Sequence, residues 1–322
     1  MNLLRKSLTA ARLLAQFDFA TLGRQWRYNA GRARIQRQGS TPFVHQRLGF
    51  PSVCHPDWVD SADLYCLDAG DHWEYRLLAR WLEPGDQFLD LGANVGYYSF
   101  AALPAVGAAG RVLAVDAAPY VVEKLQLSAR VLGAASLEPV QTAVSDQAGE
   151  VSFHVCPAGV VTGEQSMRPP DSLRNISVEI TVPACTLAGL QAAKALDQHL
   201  TLIKMDIEGA EGPALRATPP EWLAADGPLW IVEINPGALA RFGATPQEIL
   251  AHFPAARFES WLLPKHPHDS RTRPALRPAD PADAFADSLY YNFFAIPRGT
   301  RWRDRALRLA EFFPDSALTR SA

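Results

Sequence analysis

The stretch Phe88-Leu-Asp-Leu-Gly-Ala-Asn-Val-Gly-Tyr-Tyr-Ser99 decides the fold of this 322-residue chain. A short apolar run ends at Asp90, two glycines four residues apart frame Asn94, and an amphipathic segment follows. This pattern predicts a strand that ends at Asp90, a tight turn through Gly92 and a helix that begins near Gly96. Such a turn leaves backbone N–H groups facing a ligand, which suits a nucleotide-like molecule.

The charge of the chain is unevenly distributed, although its sum is only -3. Residues 1–50 contain nine arginines and lysines and a single acid, and the rest of the chain contains 22 basic and 33 acidic side chains. The apolar fraction of 48% and the charged fraction of 20% are globular values, so a full core can form. Because nucleic-acid binding normally needs a basic track, we expect no nucleic-acid substrate for this acidic body.

The four cysteines lie far apart in the sequence and form no C-x-x-C pair, so their spacing gives neither a zinc nor an iron–sulfur site. Isolated thiols of this kind are typical of a reducing compartment. No apolar run reaches the ~18 residues of a spanning helix. Arg12 and Asp18 interrupt the apolar stretch that a signal peptide would need. We therefore expect a cytoplasmic protein.

The N-terminal part of the chain differs in composition from the rest. Residues 1–70 are predicted as a basic, partly helical extension, residues 71–300 as the catalytic domain and residues 301–322 as a C-terminal tail. Residues 1–37 combine an apolar helical face with a basic stretch. Two interpretations of them stay open: a peripheral contact with anionic lipid or with a complex, or an extension that packs on the domain or is partly disordered.

Strands and helices alternate from residue 87 onward. Apolar runs predict core strands at 88–91, 112–115, 140–144, 200–205 and 229–234. One helix between them is predicted to stop at Pro104 and another to begin at Pro119. Residues 151–155 and 176–182 alternate apolar and polar positions and predict a side hairpin, whereas 264–287 predict a proline-rich loop. Strand–helix alternation indicates a doubly wound, mostly parallel α/β sheet, whose ligands bind at the carboxyl ends of the strands.

Acidic or small residues stand at those strand ends. The first turn lacks the third glycine of a dinucleotide site, which disfavours a dehydrogenase. The turn better suits the amino-acid part of a ligand. Asp90 would bind its ammonium group, and Asn94 together with the loop N–H groups would bind its carboxylate. Asp116 ends the second strand, where an acid can accept both hydroxyls of a ribose. Residues 143–146 end the third and are placed to contact an adenine. Together these groups describe S-adenosylmethionine.

These motifs, together with Ile203-Lys-Met-Asp-Ile-Glu-Gly-Ala-Glu211, resemble the FkbM family of S-adenosylmethionine-dependent methyltransferases, over about residues 71–297. The resemblance implies a Rossmann-like class I methyltransferase with a seven-stranded sheet, of which residues 291–296 form the antiparallel strand. It also implies O-methylation of a hydroxyl on a sugar, glycan or polyketide-like small molecule. The cofactor-binding residues that we expect are Glu74, Asp90, Gly92, Ala93, Asn94, Gly96, Tyr97, Ser99, Asp116, Ala117, Ala143, Ser145 and Asp206.

The candidate catalytic residues are Asp206, Glu208 and Glu211, which fall at or just after one strand end. Three acids this close repel one another unless a cation, an ammonium group or a proton compensates. Asp206 is expected to accept the hydroxyl proton, to orient the acceptor or to bind a divalent ion. The alternative for each acid is a structural carboxylate that caps the following helix. No metal site is predicted, and metal dependence stays open.

Other functions remain as alternatives. One is an N-methyltransferase, including one that acts on a nucleic-acid base. Another is a non-catalytic S-adenosylmethionine-binding scaffold in a glycan-assembly complex, with the basic N-terminal segment as its contact. The sequence leaves the acceptor and the oligomeric state undetermined.

Overall fold

The computed structural model describes residues 19–46, 49–66, 73–156, 163–173, 175–265, 276–286 and 290–313. The strands are β1 (Phe43–His45), β2 (Ser52–Cys54), β3 (Gln87–Leu91), β4 (Arg111–Asp116), β5 (Leu137–Gln141), β6 (Ala143–Val144), β7 (Gly149–Val155), β8 (Val178–Cys185), β9 (Leu200–Met205), β10 (Leu229–Ile234), β11 (Phe258–Lys265), β12 (Arg277–Pro278) and β13 (Tyr290–Pro297). The helices are α1 (Phe19–Gln36), α2 (Val59–Cys66), α3 (Trp73–Trp81), α4 (Tyr97–Val106), α5 (Pro119–Leu132), α6 (Leu187–Lys194), α7 (Glu211–Arg216), α8 (Pro236–Arg241), α9 (Pro246–Ala251) and α10 (Arg303–Phe312).

The central sheet has the strand order β12-β11-β13-β10-β9-β3-β4-β5. Strands β10, β9, β3, β4 and β5 are parallel to their neighbours in this run, while β13 lies antiparallel between β10 and β11. The predicted doubly wound sheet and its antiparallel last strand are confirmed. The eighth strand, β12, pairs with the outer edge of β11 inside the segment that was predicted as a loop.

Both faces of the sheet are buried, which explains why the core strands are almost continuously apolar. On β3, Phe88 packs into one hydrophobic cluster, with helices α3, α4, α5 and α10. Leu89 and Leu91 pack into a second cluster on the opposite face, with helices α6 to α9. Within the residues that the structure describes, no helix has the length and apolar character needed to cross a membrane.

The third strand of the central sheet begins and ends three residues earlier than predicted. The sequence indicated one strand over 140–144, but β5 ends at Gln141 and β6 leaves the central sheet to pair with β8. Thr142 lies at the break, where its N–H donates to Asp116 O at 3.0 Å and its hydroxyl bonds to Pro183 O at 3.3 Å. Strands β6, β8 and β7 form a small separate sheet, in which β7 and β8 are the predicted antiparallel hairpin.

The predicted stop of α4 at Pro104 is wrong. The helix passes through the proline and ends at Gly107, whose φ is 64° and whose N–H bonds to Leu103 O. A proline removes one backbone donor, but in the last turn of a short helix little helix remains to be broken. The predicted start of α5 at Pro119 is confirmed, and the helix ends before Gly133, whose φ is 62°.

The described part of the N-terminal extension packs against the catalytic domain. His55 Nε2 lies 2.8 Å from Ser128 Oγ, and Lys124 Nζ lies 2.6 Å from Asp57 Oδ2. Residues 1–18, the first part of the stretch for which an apolar helical face was predicted, lie outside the described residues. At the other end, α10 occupies part of the predicted tail and packs on α3. Its Arg305 pairs with Asp86, in the turn before β3, at 2.8 Å.

Candidate functional site

A cavity of about 290 Å³ opens at the carboxyl ends of β3, β4, β9 and β10. It lies where a doubly wound sheet binds its ligands, and its size approaches that of a small-molecule site, on the order of 300 Å³ or more. The predicted site residues that line it are Gly92, Ala93, Asn94, Tyr97, Asp116, Ala117, Ala143, Asp206 and Glu208. Lining residues that sequence reasoning did not select include Tyr98, Thr142, Phe153, Gln165, Lys204 and Glu233.

The glycine turn adopts a conformation that side chains disfavour. Gly92 and Gly96 have φ values of 78° and 89°, and Asn94 between them has φ 45°. A Cβ atom on Gly92 would lie 1.7 Å from the backbone oxygen of Asp206, so only glycine fits there. The N–H groups of Gly92 and Ala93 both donate to Val115 O, at 2.9 and 3.0 Å. The turn therefore rests on the end of β4 and directly against the end of β9. The N–H groups of Gly92 and Ala93 bond within the protein, so the expectation that they hold a cofactor carboxylate is wrong.

Asp116 is held in place by the same turn. Its Oδ2 accepts the N–H of Asn94 at 3.0 Å, and its Oδ1 accepts the N–H of Ala118 at 2.9 Å. Burial raises its pKa to about 6, although these two hydrogen bonds act in the opposite direction. Each carboxylate oxygen has a second acceptor position. The side chain lines the cavity and can therefore accept hydroxyl groups of a ribose.

Several predicted residues do not line the cavity. Asp90 is fully buried and accepts the Ser99 hydroxyl at 2.7 Å beneath the turn, so its carboxylate does not reach the space where we expected it to hold a cofactor cation. Glu74 instead accepts the Tyr98 hydroxyl at 2.6 Å and the Asn292 amide at 2.7 Å.

Gly96, Ser99 and Ser145 do not line the cavity either, and local packing explains the positions of Gly96 and Ser145. Gly96 packs against Leu125 and Phe100 of the helix layer. The Ser145 backbone follows β6 into the small sheet, where its N–H bonds to Cys185 O at 3.0 Å. The departure of β6 from the central sheet thus moves Ser145 from the expected adenine contact, while Ala143 and Thr142 line the cavity.

Three carboxylates meet in the cavity, and the third is Glu233 rather than Glu211. One oxygen each of Asp206, Glu208 and Glu233 lie within 4.8 Å of one another, a spacing at which acids can hold a metal ion. Burial, followed by the charge of Asp206, raises the pKa of Glu208 well above its usual value. Glu233 was missed because it lies inside an apolar strand; the signal was an acid at the end of β10, the neighbour of β9.

Glu211 lies at the first position of α7, away from the cavity. It is 2% exposed, and its Oε1 accepts the Ile207 N–H at 2.8 Å. Burial raises its pKa to about 7, against the lowering effect of backbone hydrogen bonds. Its carboxylate thus closes the turn after β9, which matches the structural alternative for this acid better than the expected catalytic role.

Lys204, the residue two before Asp206, is a buried cation in this cavity. Its Nζ lies 3.1 Å from Asp206 Oδ2 and 3.9 Å from Asp90 Oδ1. The same nitrogen is 3.5 Å from Gly92 O and 4.7 Å from the centre of the Tyr98 ring. Burial lowers the pKa of Lys204, but Asp206 and Asp90 outweigh it, so the pKa lies above its usual value.

The small sheet and the segment that connects β7 to β8 form the opposite wall. Gln165 lines the cavity and donates to the Tyr120 hydroxyl at 2.7 Å. The hydroxyl of Ser166, its neighbour, donates to Glu208 O at 3.1 Å. Glu208 has a positive φ of 55°, so this bond secures a backbone conformation that costs about 1 kcal/mol or more. The insertion therefore helps to position a carboxylate of the cavity.

The central sheet is doubly wound, with the antiparallel strand β13 third from one edge. This sheet, the glycine turn after β3 and the buried acid at the end of β4 together define an S-adenosylmethionine-dependent methyltransferase. Residues 90–260 match the family model described as the Methyltransferase FkbM domain, and this is slightly more than half of the chain. The chain belongs to the FkbM methyltransferase family.

Comparisons with solved structures find methyltransferases of low similarity. An rRNA methylase from Streptococcus thermophilus is 10% identical over 70% of this chain and 94% of its own, with a TM-score of 0.36. A predicted O-methyltransferase from Agrobacterium tumefaciens is 15% identical over 70% and 81%, with a TM-score of 0.36. Fibrillarin from Aeropyrum pernix with natively bound S-adenosyl-L-methionine is 11% identical over 70% and 76%, with a TM-score of 0.34. A comparison with curated proteins gives no significant match. The family assignment rests on the sequence match.

Proposed function

We propose that the protein methylates a hydroxyl group of a sugar, glycan or polyketide-like small molecule. The observation that supports this most directly is the position of Asp206, a partly exposed carboxylate in the cavity beside the glycine turn. S-adenosylmethionine supplies an electrophilic methyl group, and a hydroxyl attacks it poorly while protonated. A carboxylate at this position can remove the proton as the oxygen–carbon bond forms and the carbon–sulfur bond breaks, which leaves S-adenosylhomocysteine.

The residues of the cavity divide the remaining tasks. Asp116 accepts the ribose hydroxyls, and the methionine end lies in the part of the cavity that Gly92, Ala93 and Asn94 line. Glu208, whose raised pKa favours the protonated form, can donate a hydrogen bond to the acceptor oxygen. Glu233 orients a second hydroxyl. Their carboxylates disfavour phosphate groups in the acceptor, so a nucleic acid is a poor substrate.

An amine acceptor is the second candidate. The three carboxylates within 4.8 Å would attract an ammonium group and could then take its proton. The same three carboxylates could hold a divalent ion that positions a hydroxyl, and methyl transfer would then stop when a chelator is added. If the acceptor contains no amine and methyl transfer requires no metal ion, removal of the hydroxyl proton by Asp206 remains the explanation for the transfer.

The test uses S-adenosylmethionine with a labelled methyl group. It measures the transfer of the label into small molecules and glycans that are fractionated from the cells that make the protein. We expect label in an ether linkage with the wild type and a loss of at least about a hundredfold with Asp206→Asn. Glu123→Gln, an exposed acid on α5, is the matched control and should keep the wild-type rate. Label in an N-methyl group would replace the first candidate by the second. Binding of S-adenosylmethionine without transfer to any fraction would favour a non-catalytic scaffold.

A further inference from the structure

A buried lysine such as Lys204 is unusual at a position that only stabilises a sheet. It lies in β9, a strand whose six residues are all buried, and it is 5% exposed. Burying a lysine with its partners seldom stabilises a fold more than an apolar residue of similar size does. Any apolar side chain at position 204 would allow β9 to pair with β10 and β3. The charge therefore calls for a functional explanation.

The contacts of Lys204 connect the parts of the cavity that must be aligned. Its ammonium group is 3.1 Å from Asp206, the proposed base, and 3.5 Å from the carbonyl of Gly92 in the cofactor turn. Behind it lies Asp90, whose Oδ1 has no hydrogen-bond partner and is 3.9 Å from Nζ. The ring of Tyr98 covers another side at 4.7 Å, and the Tyr98 hydroxyl is itself fixed by Glu74 at 2.6 Å.

We propose that Lys204 is a positioning residue that fixes and neutralises the Asp206 carboxylate, and so sets the preference of the site between S-adenosylmethionine and S-adenosylhomocysteine. The proposal rests on the assignment of Asp206 to the reacting end of the cofactor site. The two ligands differ by one methyl group and one positive charge, which disappears when the methyl group is transferred. A site with unbalanced carboxylates would bind the charged cofactor tightly in the ground state and lose that attraction as the reaction proceeds.

Lys204 counteracts this effect at the carboxylate nearest to it. With the ion pair intact, the charge of Asp206 is largely compensated, and the cofactor is held by its adenosine and methionine parts rather than by its sulfonium. Without the lysine, both Asp206 and Asp90 lack their nearest cation among the described residues that line the cavity. The affinity for the charged ligand should then rise relative to the affinity for the neutral one.

The experiment is calorimetric titration of S-adenosylmethionine and S-adenosylhomocysteine into wild type and variants. In Lys204→Met the ratio of the two affinities should shift towards S-adenosylmethionine by on the order of tenfold, the effect of one unit charge across roughly 10 Å at an effective dielectric constant of about 20. Lys204→Arg, which keeps the charge, should stay near the wild-type ratio. Lys194→Met, which breaks a half-exposed ion pair with Glu138 at 2.9 Å, is the matched control and should change nothing.

A second pair of variants keeps the test decisive if Lys204→Met does not fold. Asp206→Asn leaves Lys204 uncompensated and should shift the ratio in the opposite direction, towards S-adenosylhomocysteine. The double variant should return close to the wild-type ratio, because the two charges are removed together. Equal weakening of both ligands in the lysine and aspartate variants would mean a purely structural role and overturn the proposal. Failure of the wild type to bind either ligand would instead refute the cofactor site itself.

Discussion

Replacing Gly92 by alanine should separate the cofactor turn from the catalytic strand end. The added Cβ would lie 1.7 Å from the backbone oxygen of Asp206 and 2.8 Å from its carbonyl carbon, whereas ordinary contact begins at 3.4 Å. Neither partner is a flexible side chain that could rotate away. The backbone of one turn must therefore move, and both turns are held by hydrogen bonds.

The cost follows from the contacts that would break. Gly92 N–H donates to Val115 O at 2.9 Å, and Asp206 N–H donates to Leu91 O at 3.0 Å. Loss of these two bonds costs about 1 kcal/mol each. Alanine at the φ of 78° adds about 1 kcal/mol. We expect the free energy of unfolding to fall by about 3 kcal/mol and the affinity for S-adenosylhomocysteine to fall by about a hundredfold or more.

Gly133→Ala is the control for the backbone conformation alone. Gly133 has φ 62° and an open space of 4 Å around the position of a Cβ. It should lose about 1 kcal/mol and bind S-adenosylhomocysteine as the wild type does. Urea unfolding and calorimetric titration measure both quantities. If Gly92→Ala were no less stable than Gly133→Ala and bound the ligand equally well, the close approach of the two turns would not exist.

Three further perturbations test individual carboxylates and a buried histidine. Asp116→Asn would turn an amide N–H₂ group towards a backbone N–H donor such as that of Asn94. Calorimetry should therefore find the binding of S-adenosylhomocysteine weakened by about 2–3 kcal/mol. Unchanged binding would contradict the assignment of Asp116 to the ribose. Burial raises the pKa of Glu211 to about 7 in the folded protein, from 4.5 for the group in an unfolded chain. The stability that its proton contributes is therefore present below pH 4.5 and is lost as the pH rises through 7, by up to about 3 kcal/mol. Glu211→Gln should abolish that slope in urea unfolding between pH 5 and 8, and a persistent slope would assign it to other groups. His55, beside Ser128, has its pKa lowered by burial to about 4 from 6.5, so its contribution is present above pH 6.5 and is lost as the pH falls through 4; His55→Gln should flatten this acid limb, and an unaltered limb would contradict the reasoning.

The fold could be predicted from the sequence wherever local signals and burial agree. The strands over 200–205 and 229–234 are mostly apolar runs, each followed by a polar residue, and their bounds match β9 and β10. The third strand could not be bounded in this way, because apolar residues stand on both sides of the polar pair Gln141-Thr142 and no turn signal separates them. Only the pairing of β6 with a strand some forty residues later shows where the chain leaves the central sheet.

The candidate site was predictable for residues that the backbone itself presents. The positions of Gly92, Asn94 and Asp116 follow from the ends of consecutive strands, and all three line the cavity. Sequence spacing alone could not separate Glu211 from Glu233. The first is close to Asp206 in the sequence but bonds into a helix start, and the second becomes its neighbour only through the sheet. The orientation of a side chain depends on packing, which local spacing does not determine.

The place of β13 in the sheet has a consequence for how the protein folds. It lies between β10 and β11, which both precede it in the chain, so a gap between them must stay open until residues 290–297 have been synthesised. Such long-range insertion is slow compared with local pairing. Until it occurs, β10 and β11 each carry an unpaired edge of the kind that promotes aggregation. A nascent or truncated chain without β13 should therefore depend on chaperones. In the completed chain β13 pairs with the free edges of β10 and β11, so these edges no longer promote aggregation.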